Sequence, residues 1–179
     1  MSTLKNFREK ILDASEVVVL ENGARHLTLD AVAARAGVSK GGLLYHFPSK
    51  EALLKGMLER LIKHLEERQR EKGKRLKEGP GREIQAFILS RLERDPQTEQ
   101  MGSAVLAAMA CAPRLLQPAR EETRKRLSKM LQEGLSFEHA AIIFFAVQGL
   151  NLMELLSLSP LNAKERKHFV GQLLRLADG

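Results

Sequence analysis

Leu27-Thr28-Leu29-Asp30-Ala31-Val32-Ala33-Ala34-Arg35-Ala36-Gly37-Val38-Ser39-Lys40-Gly41-Gly42-Leu43-Leu44-Tyr45-His46-Phe47 decides the fold. The stretch reads as two short helices joined by one glycine turn. Thr28 suits an N-cap, and Asp30 places a negative charge in the first turn, where the helix dipole favours it. Leu29, Val32, Ala33 and Ala36 recur at helical spacing. Gly37 can take the left-handed conformation that stops a helix, and Val38 puts an apolar residue in the corner. Ser39 caps the second helix. Leu43 and Phe47 point inward, which leaves Lys40, Gly42, Tyr45 and His46 for a partner. A helical hairpin of this build places its second helix in the DNA major groove. The competing reading is a plain hairpin in a core. Two adjacent glycines argue against it, because each costs about 1 kcal/mol relative to Ala inside a helix. That cost is explained if the backbone must approach another molecule closely.

The rest of the chain fits an all-α protein. No β-branched run alternates with polar residues over a useful length. A first helix runs from about Leu4 to Glu21, with Phe7, Ile11, Ala14, Val18 and Val19 as its stripe and Asn22-Gly23 as its stop. Pro48 ends the hairpin. Ser49 caps a long fourth helix striped by Leu53, Leu54, Met57, Leu58, Leu61, Ile62 and Leu65, and Gly79-Pro80-Gly81 breaks the chain. Further helices are expected over about Arg82–Arg94, from a Thr98 cap to about Cys111, from Pro113–Pro118 to Gly134, and from a Ser136 cap to about Leu158. The last starts at a capping box of Asn162 and Glu165. The sum is about nine helices. Two domains are expected, a helix-turn-helix head over 1–48 and a helical body over 49–179.

Charge is uneven. The chain carries +7, of which residues 1–82 hold +6 and residues 83–179 hold +1. A basic head on a near-neutral body fits nucleic-acid binding, although charge alone fits an anionic membrane surface equally well. Cys111 is the only cysteine, so no internal disulfide can form, which suits a cytoplasmic location. It reads as a buried structural cysteine, with a thiol sensor as the alternative. No signal peptide is visible. Gln148, Asn151 and Glu154 interrupt the most apolar run, Ala140–Leu158, which reads as a buried helix rather than a membrane span. The basic run after Leu65 reads as a solvated helix end.

Residues 8–54 resemble the N-terminal domain of TetR-type transcriptional regulators. Ile11-Leu12-Asp13-Ala14, Leu29-Asp30-Ala31-Val32-Ala33, Ala36-Gly37-Val38-Ser39-Lys40-Gly41, Leu43 and Tyr45-His46-Phe47-Pro48-Ser49-Lys50-Glu51-Ala52-Leu53 carry the resemblance. Many members have Thr where this chain has Gly42 and Tyr where it has Leu44, so the phosphate-contacting tyrosine would be replaced by Tyr45. The resemblance implies a homodimer that sets two heads in successive major grooves of a palindromic operator and releases it when a small molecule enters the C-terminal domain. Residues 55–179 carry no motif tied to a particular ligand.

The residues suggest roles within that frame. Thr28, Ser39 and Tyr45 hydroxyls and the helix starts at Ser39 and Ser49 are phosphate ligands. Lys40 is the candidate for a guanine edge, Gly41 and Gly42 allow close approach, and a DNA phosphate would offset the Lys50 cation, which the helix dipole disfavours at a helix start. His46 either contacts phosphate or faces the core, and Tyr45 is otherwise an amphipathic surface residue. An effector pocket is expected from Met57, Leu61, Leu92, Met101, Val105, Ala108, Met109, Phe144 and Gln148, with an ordinary core as the alternative. Few charges fall there, so a largely apolar effector is expected. Phe137, Ala141, Phe145, Leu152 and Leu155, with Phe169 and Leu173 on the last helix, are expected to form a dimer interface, because they cover more than one helix face. No catalytic constellation, metal-ligand spacing, cofactor motif or phosphate loop stands out. The reading is therefore a non-enzymatic repressor. Its rival is a membrane-surface or lipid-binding helical protein using Lys63–Lys77.

Overall fold

The computed structural model describes residues 2–79 and 81–177, with side chains from residue 7 onward. Pro80, part of the expected break, lies outside the described residues. Among those described, the chain forms nine α-helices and no strand. They are α1 (Ser2–Asn22), α2 (Leu29–Ala36), α3 (Lys40–His46), α4 (Lys50–Arg75), α5 (Arg82–Leu92), α6 (Pro96–Ala110), α7 (Gln117–Gln132), α8 (Phe137–Leu155) and α9 (Ala163–Leu176). Short 3-10 turns at Ala24–His26 and Pro113–Leu116 complete the path.

Contacts divide the chain into two compact units. One is Met1–Ile62 with Pro96–Ala119; the other is Lys63–Asp95 with Arg120–Gly179. Packing thus draws its line within α4. The reason is apolar burial. Leu53, Leu54, Met57 and Leu58 of α4 join the core that Ile11, Leu12, Val32, Leu43 and Phe47 build. Ala104, Val105, Ala108 and Met109 of α6 join the same core, with α6 packed on α1, while Cys111, one residue past the helix, is exposed rather than buried.

In the second unit α5 packs on α8 and α9. Ile84, Phe87, Ile88 and Leu92 meet Ile143, Phe144, Val147, Leu150 and Leu173. Phe87 and Phe144 stack with centroids 6.0 Å apart.

Three boundaries depart from expectation. α6 begins at Pro96 rather than after Thr98, because a proline at the first helical position loses no hydrogen bond. α8 ends at Leu155, short of Leu158, and Ser157 takes a left-handed φ of 56° just beyond it. α5 stops at Leu92, with Glu93 already extended. At α9 the capping box closes from both sides: Asn162 Oδ1 accepts from Lys164 and Glu165 N–H, and Glu165 accepts from Asn162 N–H.

Candidate nucleic-acid interface

Three side-chain hydroxyls position the head. Thr28 Oγ1 accepts from Ala31 N–H at 3.1 Å and starts α2. Ser39 Oγ accepts from Gly42 N–H at 3.1 Å and starts α3, and Ser49 Oγ does the same for Ala52 N–H and α4. Between α2 and α3, Gly37 sits at φ 62°, ψ 41°, and the N–H of Val38 returns to Ala33 O at 3.1 Å. These bonds satisfy groups that helix ends leave unpaired.

α3 is anchored from one side. Leu43 and Phe47 are buried, and Arg8 lies over the Phe47 ring at 5.3 Å. Phe47 seats because Gly56 of α4 has no side chain; a Cβ there would come within 2.6 Å of Phe47 Cε1. The opposite face of α3 is open. Tyr45 is 76% exposed, its ring edge-on to His46 at 5.1 Å. A Cβ on Gly41 would meet nothing within 4 Å, while one on Gly42 would touch Ser39 Oγ at 3.2 Å. Thr28, Ser39, Lys40 and Lys50 are exposed and His46 is half-buried. All eight residues singled out in the sequence lie in or beside this hairpin.

Sequence reasoning missed two features. Lys40 Nζ pairs with Asp30 Oδ1 at 2.8 Å, both exposed, so Lys40 must exchange one carboxylate for any base edge. Leu44 is also exposed beside Tyr45 and adds an apolar contact to the face. No spacing rule ties Asp30 to Lys40 across a turn.

The residues expected to line an apolar pocket fall into two cores. Met57, Met101, Val105, Ala108 and Met109 are buried in the first unit, with Leu61 against them. Leu92 and Phe144 are buried in the second, and Gln148 is half-buried. A cleft of about 590 Å³ does occur in the second unit, but between α4, α5 and α7, and mostly charged side chains line it. None of the nine expected residues is among them.

On α8, Phe137, Phe145 and Leu152 are exposed, and Ala141 and Leu155 are half-buried. Phe169 on α9 is half-buried and packs against the core of its own unit. Leu173 is 3% exposed within that core, so its own chain already covers it and it is not part of the exposed face.

The basic run of α4 is partly consumed within its unit. Arg68 reaches Asp95 at 2.9 Å and Glu93 O at 3.1 Å, and Lys72 pairs with Glu93. No helix among the described residues is long and apolar enough to cross a membrane.

Residues 11–57 match the family described as bacterial regulatory proteins, tetR family, and residues 81–178 match the tetracyclin repressor-like C-terminal domain. This chain belongs to the tetR family. It is a DNA-binding transcriptional regulator. Among curated relatives of this regulator, the HTH-type transcriptional repressor KstR of Rhodococcus jostii is 36% identical over 116 residues, covering 60% of this chain and 51% of that protein. The chain thus aligns with about half the length of that relative. A transcriptional regulator from Rhodococcus sp. Rha1 shares the fold at a TM-score of 0.75 and 23% identity, over 95% of each chain. The multidrug binding protein EbrR complexed with malachite green shares it at 0.71 and 22% identity, over 94% and 96%. At such identities these structures speak for the fold alone.

Proposed function

We propose that this regulator is a repressor that acts as a homodimer in the cytoplasm, binds a palindromic operator and leaves it when a small molecule binds its C-terminal part. It has no catalytic role in this reading. The observation that carries it is the open face of α3, where a Cβ added at Gly41 would meet nothing within 4 Å and Tyr45 is 76% exposed. A protein core has no use for that face. A groove floor does.

The roles divide by chemistry. Thr28, Ser39, Tyr45, His46 and the start of α4 at Lys50 take phosphates and set the register. Lys40 reads a base edge after parting from Asp30, and Gly41 with Gly42 lets the helix sit deep. Residues 1–48 act as the reading head and 49–179 as the body that dimerises and senses. Phe137, Ala141, Phe145, Leu152 and Leu155 of α8, with Phe169, supply the dimer contact. KstR's description as a repressor and EbrR's complex with malachite green support repression and small-molecule sensing.

A gel-shift against the DNA upstream of the protein's own gene, alongside anionic liposomes, tests the reading. The duplex should bind and the liposomes should not. Lys40→Ala should cost about 1–3 kcal/mol of sequence-specific binding. Lys50→Ala should weaken binding to every sequence and flatten the salt slope by about one unit. Equal, sequence-independent losses from both would contradict the division of roles.

A further inference from the structure

Helix α8 has two apolar faces, and its own unit uses one of them. Ala140, Ile143, Phe144, Val147 and Leu150 are buried. The other face runs through Ile142, Phe145, Gly149, Leu152 and Leu156, all exposed. Gly149 lies at its middle. Glycine weakens a helix interior relative to alanine. The surrounding chain does not require it, because an added Cβ would meet nothing within 4 Å among the described residues. Room kept open on an apolar face suits another backbone that approaches closely there.

The apolar residues stand at equal offsets on either side of Gly149. Ala146 and Leu152 are three positions before and after it, Phe145 and Met153 four, and Ile142 and Leu156 seven. At 3.6 residues per turn, those offsets keep all six within about 60° of Gly149 around the helix. Leu156 stays on the helical path, its N–H donating to Leu152 O at 3.0 Å. A helix laid antiparallel on its own copy about a two-fold axis sets each residue before the axis against the one equally far after it. The stripe therefore matches itself, Phe145 against the partner's Met153 and Ile142 against the partner's Leu156. A partner of different sequence would not call for that symmetry. Charge agrees. Glu154 is the only charged residue from 140 to 156, and Arg166 of the same unit holds it at 2.5 Å. The exposed side of α9 instead carries Lys164, Lys167 and Arg175, which a copy of the same surface would repel.

We infer that two copies of this chain pair through α8 laid antiparallel on itself, with the two-fold axis at Gly149. The inference rests on the homodimer reading above and fixes the face, the direction and the residue at which the copies cross. It centres the contact on α8 and leaves Phe137 and Phe169 at its margin. Axes about 9–10 Å apart set facing Cα atoms about 4.4–5.4 Å apart, close enough for a disulfide between two residues on the axis.

The test uses the full chain carrying Cys111→Ser, which removes its exposed native thiol. With Gly149→Cys added, the protein should cross-link to its own copy when oxidised by copper–phenanthroline in air. Phe145→Cys alone should not, because an antiparallel pair sets the two thiols eight residues, about 12 Å, apart along the helices. Mixed with Met153→Cys protein, it should give the mixed disulfide. Gly149→Leu should fill the crossing and weaken the dimer at least about tenfold in sedimentation. Its helix content by circular dichroism should be unchanged, because the added side chain meets open space within the chain and leucine favours a helix. A dimer in which Gly149→Cys does not cross-link would overturn the inference and leave the homodimer reading standing. So would Phe145→Cys cross-linking to itself as readily as Gly149→Cys, or Gly149→Leu dimerising as tightly as the parent. A parent that sediments as a 20.0-kDa monomer at micromolar concentration would overturn the homodimer reading itself, and the inference with it.

Discussion

Arg60 shows how much of the head depends on single buried charges. Its side chain is 12% exposed and faces three carboxylates of α1: Glu16, Asp13 at 2.6 Å and Glu9 at 3.4 Å. Glu16 is 4% exposed, and burial holds its carboxyl above the usual carboxylate range against the pull of Arg60. Removing one member of a buried pair costs about 3–5 kcal/mol, because the other charge is left stranded. Arg60→Met should therefore destabilise the protein by about that much at pH 7 in urea unfolding. Glu16 binds a proton more readily folded than unfolded, so its protonation favours the folded state as pH falls. The loss in Arg60→Met should accordingly shrink between pH 7 and pH 5, and a constant loss would show that Glu16 is not the stranded group. Neither the Arg60–Glu16 pair nor the Lys40–Asp30 pair stood out in the sequence. Each partnership joins residues on different helices, and one sequence without its fold has no signal for such pairs. Thr28, Gly37, Ser39 and Ser49 were legible because a cap or a left-handed turn is set by immediate neighbours.

Helices α3 and α4 each carry a glycine that an isolated helix would do better without. At Gly41 an added Cβ meets nothing, whereas at Gly56 it meets the buried Phe47 ring. Gly41→Ala should raise the Tm by about 2–4 °C, the return of about 1 kcal/mol of helix propensity in a chain of this size, and should weaken DNA binding. Gly56→Ala should lower the Tm, because overpacking costs about 1–3 kcal/mol and exceeds the same propensity gain. Thermal melting of both variants checks the pair, and a rise in both would contradict the seating of Phe47. Helix interiors followed from apolar periodicity, and most starts followed from capping residues. The ends at Leu92 and Leu155 did not, since Glu93 and Arg94 are ordinary helix formers past the first and Leu156 and Leu158 continue the apolar run past the second. The pocket residues were the least legible for a related reason. Met57, Val105 and Met109 have the composition of a cavity lining and of a core alike, and periodicity cannot separate the two.

At the scale of the molecule the unsettled surface is α8. Ala140, Ile143, Phe144, Val147 and Leu150 bury one face in their own unit, while Phe137, Ile142, Phe145 and Leu152 expose another. A helix apolar on all sides belongs in an interior, and a second copy of the same surface supplies one. Phe145, 68% exposed, is the residue whose replacement by Glu harms the monomer least and a two-fold contact most. Selection of duplexes from a random pool, run with the wild type and with Phe145→Glu, joins that surface to the reading head. The wild type should enrich an inverted repeat whose half-site centres lie about 10 base pairs apart, or a multiple of that. Phe145→Glu should sediment as a monomer and enrich at most a single half-site. No enrichment by the wild type, or the same inverted repeat enriched by a monomeric variant, would contradict the account.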